Sequence, residues 1–337
     1  MTIPLSILDL IPLASSSSSS QSLRNSLELA RMADRRGYFR YWYAEHHNMP
    51  MVLSTTPEIM IALTAETTSR IRVGSGGVML PNHAPLKVAE MYKMLEALSP
   101  GRIDLGIGRA PGTDPSTAVA LRGSREALYA EDFPARLAEL IAFGKGSLPP
   151  HGRSATVTAV PTDVPLPPIW LLGSSDYSAQ LAARLGMGFG FAAHFSDYPP
   201  ELPLQAYRVQ FIPGALKRPH AILTVSVVCA DTDEQADRLA ASLLVAFVRL
   251  RTGQKPELLS PEEALAYPFT PIERTVAEAI RGLHITGSPS TVKRRIDDLI
   301  ALTSADEVMV TTFTFGHAER MRSYELLATA YGLPNAE

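Results

Sequence analysis

The chain has 337 residues, 46% of them hydrophobic, and 31 Lys+Arg against 34 Asp+Glu give a net charge of −3. So near-neutral a chain, with no basic stripe, argues against a nucleic-acid partner, and the triplet Lys293, Arg294, Arg295 reads as the wet face of a helix. The single cysteine, Cys229, excludes intramolecular disulfides and multi-cysteine metal clusters. No uninterrupted apolar run reaches the ~18 residues that span a bilayer, and the N-terminus lacks a basic start, so the expectation is a cytoplasmic protein with no membrane partner.

Short β-rich runs alternate with stretches of helical periodicity, the pattern of βα units on a parallel sheet. Ile3–Leu8 is the first strand, and the serine run 15–20 reads as a flexible loop before a helix that carries Leu23, Leu27, Ala30, Met32 and Ala33 and stops at Gly37. Tyr38–Tyr43, Ile71–Val78 and Ile103–Ile107 follow as strands, separated by helices that Pro57 and Pro85 open. Regularity lapses over 109–168, with one helical piece near 128–143 and a possible hairpin around 156–160. The alternation resumes with strands Ile169–Leu172, Phe189–Ala192 and Ile222–Val228, then helices at 232–250, 271–281 and 290–301, a last strand Glu307–Thr312 and a closing helix from His317. Eight strands predict one (β/α)₈ barrel over 1–337, with insertions after strands four and seven, at 109–168 and 251–270, that serve as active-site cover.

In such a barrel the junctions where strands end carry the chemistry. Strand two ends in Glu45-His46-His47, where an imidazole can act as acid or base near neutral pH. Adjacent histidines point to opposite faces and make a poor metal pair, so no metal is expected, and one of the two is expected to pack structurally. Strand three runs through Gly76, Gly77 and Met79, where missing Cβ atoms allow either a bulge or the close approach of a flat ligand. Strand four ends at Arg109, which could hold a phosphate or carboxylate or form a surface salt bridge. Strand five leads through Gly173, Ser174 and Ser175 into a helix with Tyr177 and Ser178, an anion cradle provided Asp176 faces outward and even if Ser174 is only the N-cap. Trp42, Met79 and Phe191 are expected to line an apolar pocket.

The runs AEHHNM, RIRVGSGGVMLPNHAPLKVAE, SPGRIDLGIGRAPGTD and PIWLLGSSDYSAQLAARLG, followed by HITGSPSTVKRRIDDLIALTSADEVMVTT, occur in that order. Together they resemble the bacterial luciferase-like flavin monooxygenases, in the alkanal monooxygenase-like subgroup. The resemblance implies a barrel that binds FMN at its strand ends. It further implies that the reduced flavin, FMNH₂, reacts with O₂ to a C4a-(hydro)peroxide that oxygenates an organic substrate, such as an aldehyde or an aromatic natural product. By the same resemblance His46 is the catalytic histidine with His47 beside it, and a non-prolyl cis peptide falls around Gly76–Gly77. Arg109 and the Ser174–Ser178 segment then hold the phosphate.

Luciferase carries a reactive cysteine where this chain has Gly108, and Cys229 lies in an apolar strand, so light emission is not expected. The chain has no GxGxxG nicotinamide fingerprint, which suggests a separate flavin reductase as partner. A homodimer is the expected assembly of the family. Two alternatives stay open: an F420-dependent oxidoreductase on the same barrel, and a flavin-binding protein without turnover.

Overall fold

Residues along a strand point alternately to its two faces, and here that alternation divides a barrel interior from a helical jacket. The computed structural model describes residues 3–125, 132–146 and 157–335. Its strands are β1 (Leu5–Asp9), β2 (Arg40–Tyr43), β3 (Arg72–Met79), β4 (Ile103–Gly108), β5 (Ile169–Gly173), β6 (Gly188–Ala192), β7 (Ala221–Cys229), β8 (His284–Gly287) and β9 (Glu307–Thr311). Every pairing is parallel, and neighbours run from β1 through β7 to β9 and back to β1, closing an eight-stranded barrel with helices between the strands. Outward residues such as Leu5, Ile7, Tyr41, Val73 and Phe189 pack against the helices in one large core, while Leu8, Trp42, Trp170 and Met309 form a second cluster inside.

The interior is layered. At the N-terminal end Arg40 bonds Asp104 at 2.7 Å and Glu307 at 3.0 Å, Arg72 adds a contact to Asp104 at 2.6 Å, and Ser6 donates to Glu307. Ser6, Asp104 and Glu307 are fully buried, so this layer stoppers one end of the barrel with charges that are paired, as buried charges must be. Above it Trp42 and Trp170 meet edge to face at 5.7 Å, and Arg40 stacks on Trp170. Beyond the tryptophans the inward positions shrink to Ala44, Gly76, Gly77, Gly190 and Ala192, which leaves the C-terminal end open.

Several expectations need correcting. Among the described residues the strand count is nine, because β8 pairs with the far end of β7, from Ser226↔His284 to Cys229↔Gly287, after β6 has ended opposite Thr224. The serine run is only partly a loop: Ser18 caps the helix Ser19–Arg35 by accepting from Gln21 N–H, the role short hydroxyl side chains favour. Strand β1 runs one residue further than expected, to Asp9, because Arg320, Ser26 and Tyr41 satisfy its buried carboxylate. In the proposed hairpin, residues 157–160 form no strand and Thr156 lies outside the described residues. The first insertion carries the helices Pro115–Arg122 and Phe133–Lys145, the latter covering the described part of the expected helical piece. Among the described residues no helix is long and apolar enough to cross a membrane.

Candidate active site

A cleft of about 220 Å³ opens at the C-terminal ends of the strands. It brings together His46, Gly76, Gly77, Met79, Arg109, Gly173, Ser174, Ser175 and Ser178, from four separate strand ends. The glycines of β3 are sterically required: a Cβ at Gly76 would meet Leu8 Cδ1 at 2.6 Å, and one at Gly77 would meet the Gly106 carbonyl oxygen at 2.7 Å. The β3–β4 ladder shifts register between Ser75 and Val78, and the Gly76–Gly77 peptide is cis, so both readings of these glycines, bulge and open floor, are realised at one place. A Cβ on Gly108 would lie 2.7 Å from Met79 Sδ, so Met79 occupies the space beside it.

Arg109 is exposed at the rim and makes no ion pair among the described residues; its guanidinium instead stacks 4.2 Å from the ring centroid of Tyr177. Stacking pre-orients the fork while leaving its N–H donors for an anion. Beside it starts the helix Asp176–Leu185, whose N-cap is Ser175 rather than Ser174, with a hydroxyl that makes no capping bond. Asp176 is turned away, accepting from Tyr198 Oη at 2.8 Å, so its charge does not oppose an anion at the helix start. Gly173 lets strand and helix meet closely, since a Cβ there would sit 2.8 Å from Ser178 Oγ.

His46 and His47 part company. His47 lines neither this cleft nor the larger cavity beside it; its Nε2 donates to Glu45 at 2.9 Å. Glu45 is buried and also accepts from His83 Nε2 at 2.9 Å and from Met79 N–H at 2.8 Å. Burial alone would raise its pKa, but the hydrogen bonds from both histidines and Met79 outweigh it and hold the carboxyl at about 2. The same bond to Glu45 raises the pKa of His83. His46 faces the cleft, its Nδ1 is buried without a partner, and burial among apolar walls lowers its pKa to about 4.

A second cavity of about 460 Å³ adjoins the cleft, and His46, His194 and Phe195 border both. His194, absent from the sequence reading, is buried with an unpartnered Nδ1, and burial lowers its pKa to about 3. It follows β6 at a strand-to-loop junction, so the rule that selected Arg109 also selects it. Phe191 does not line the pocket: Gly190 and Ala192 face in, so Phe191 faces the helices, and Phe195 takes the lining position. Of the two covering segments, only Arg109, Ala110, Gly112 and Arg251 reach either cavity among the described residues. Cys229 is buried on β7, where burial pushes its thiol up to about 12.

The donor set matches a flat ring system carrying a phosphate, combining a glycine floor with an arginine, free of ion pairs among the described residues, beside a helix start without a side-chain cap. No group of three or more His, Cys, Asp or Glu among the described residues is placed to hold a metal ion. Comparison with known proteins agrees in kind, since residues 3–306 match the family described as luciferase-like monooxygenase. The chain belongs to that family. A luciferase-like monooxygenase of Escherichia coli (strain K12) is 41% identical, with 96% of each chain covered. The N-acetyl-S-alkylcysteine monooxygenase of Bacillus subtilis (strain 168) is 34% identical, covering 97% of this chain and 98% of its own. The crystal structure of apo-MsnO8 superposes with a TM-score of 0.90 at 37% identity, covering 98% of each chain. More distant likenesses, at 19% and 12% identity, show the fold alone: an oxygenating constituent of 3,6-diketocamphane monooxygenase of Pseudomonas putida in complex with FMN, TM-score 0.73, and an F420-dependent secondary alcohol dehydrogenase, TM-score 0.70. A further relative, 28% identical over 80% of this chain and 78% of its own, is the oxygenase component of a flavin-dependent trigonelline monooxygenase of Acinetobacter baylyi. Its named relatives make this luciferase-like protein an enzyme of the monooxygenase class.

Proposed function

We propose that this protein is the oxygenase of a two-component system, which takes reduced FMN from a separate cytoplasmic reductase and places one atom of O₂ on an organic substrate, the other leaving as water. The observation that carries this reading is Arg109, without an ion pair among the described residues and stacked on Tyr177 at the start of the helix Asp176–Leu185, in the same cleft as His46. Arg109, Ser174, Ser175 and Ser178 would hold the phosphate, and Gly76, Gly77 and Met79 the ring. Bound there, reduced FMN supplies the two electrons that O₂ activation needs.

His46 moves the proton. Its Nδ1 has no protein partner among the described residues, so the ring is free to exchange a proton with a molecule in either cavity. Being neutral at pH 7, it accepts rather than donates at rest. The apolar lining around it keeps bulk water from the reacting atoms.

Anaerobic titration with FMNH₂, with oxidised FMN and F420 as comparators, followed by stopped-flow mixing with O₂, tests the reading. Preference for F420 favours hydride transfer without oxygen, and reoxidation of bound flavin at the free-solution rate favours a flavin-binding protein without turnover. The dimer is part of the same proposal. Ile59 and Leu63 on the helix Pro57–Thr67, and Met94 and Leu98 on the helix Pro85–Leu98, expose an apolar face that a second copy could cover. Light scattering on wild type and Leu98→Glu checks it: a dimer that becomes a monomer supports the face, and a wild-type monomer rejects it.

A further inference from the structure

The larger cavity differs in chemistry from the cleft beside it. Much of its lining is apolar, built by Leu10, Met51, Val52, Phe247 and Phe313. The lining also carries Ser226, Thr311 and His194, whose hydroxyls and Nδ1 are buried with no protein partner among the described residues. Buried polar atoms left unpaired in a cavity wall are groups a ligand can satisfy. Setting the histidines aside, its only charged lining residues among those described are Arg251 and Asp197.

These two meet across the rim at 3.0 Å, and Arg251 also reaches the Phe195 carbonyl. Their mountings are unequal. Arg251 ends the helix Asp233–Arg251, whereas Asp197 lies in the loop after β6 with 70% of its side chain exposed. Exposed ion pairs hold weakly, and a guanidinium fork accepts any carboxylate of suitable reach.

We propose that the 460 Å³ cavity takes the organic substrate as a monocarboxylate with an apolar body, its carboxylate replacing Asp197 on Arg251 and its body reaching inward toward His46 and His194. The role as substrate rests on the oxygenase function proposed above, but the binding claim needs no turnover. A phosphorylated ligand is drawn to Arg109 in the cleft, so the two arginines divide phosphate from carboxylate.

Octanoate and octanamide, alike in length and differing in charge, are the probes, titrated calorimetrically into the whole protein with and without FMN. Octanoate is expected to bind about tenfold tighter, the size of a charge-assisted contact. Arg251→Gln is expected to erase that preference while leaving octanamide and FMN affinity in place, and Asp197→Asn to strengthen octanoate binding. Equal affinities, no binding of either probe, a preference that survives Arg251→Gln, or weaker octanoate binding in Asp197→Asn overturns the proposal. The FMN titration keeps the two readings apart. Failure of wild type to bind FMN counts against the flavin function, and intact FMN binding without acid preference counts against the carboxylate anchor alone.

Discussion

Glu45, His46 and His47 are consecutive, yet they belong to two opposed groups. His47 and His83 are tied to the buried carboxylate of Glu45, which raises the pKa of His83 and ties the β2 and β3 ends together through Met79 N–H. His46 and His194 have no protein partner at Nδ1, stand between two cavities, and are pushed down to about 4 and 3 by burial. An imidazole's behaviour is set by what its ring touches, and its chain neighbours say little. A ring held by a carboxylate serves as scaffold, while a ring without one is free to exchange a proton with a ligand.

The comparison can be broken by substitution. His46→Gln is expected to lower kcat/KM by about 100- to 10,000-fold, the span of general acid–base catalysis, with FMN affinity kept; steady-state kinetics showing less than a tenfold loss would return His46 to the wall. Glu45→Gln leaves two histidines and an N–H without their shared acceptor, and urea unfolding should reveal a loss of about 3 kcal/mol, as for other broken buried pairs. Arg109→Ala leaves both histidine groups intact and should weaken FMN by about 1.5 to 3 kcal/mol in an equilibrium titration. His47→Gln should change turnover least, and a loss matching that of His46→Gln would merge the two groups.

Acid separates the groups by sign. The folded His46 titrates at about 4 against a usual 6.5, so the unfolded chain binds a proton that the folded chain refuses, and stability declines as pH falls between those values. His194 and His284, the latter lowered by burial to about 4, act in the same sense. His83 opposes them: its contribution is complete below its usual value and is lost as pH rises through its raised one. Glu45, held at about 2 against a usual 4.5, contributes above 4.5 and loses that contribution as pH falls toward 2. The urea midpoint should therefore drop between pH 6.5 and 4, and His46→Gln should flatten the drop.

Much of this was legible beforehand because the barrel rule ties function to strand ends. Arg109, Gly76, Gly77 and the Ser174–Ser178 segment were found by position and do meet in one cleft, as does His46. Tyr177 reaches the cleft only through Arg109, a stacking contact that no spacing announces. His194 was missed although its junction was marked, because one histidine after two alanines carries no local pattern. β8 was missed since it borrows its ladder from the far end of β7, a long-range pairing that four residues beginning with histidine do not signal. The larger cavity was invisible for the same reason: Leu10, Ser226, Phe247 and Thr311 lie far apart in the chain and are gathered only by closure of the barrel.

The layer of Ser6, Arg40, Asp104 and Glu307 that stoppers the barrel has a kinetic meaning. A blind-ended vessel has no through-flow, so every molecule leaves by the face through which it arrived. An obstacle at that face that leaves the bound state untouched slows loading and discharge by one common factor. A substitution at Arg251 or Asp197, which the carboxylate would touch or replace, therefore changes occupancy as well as residence time.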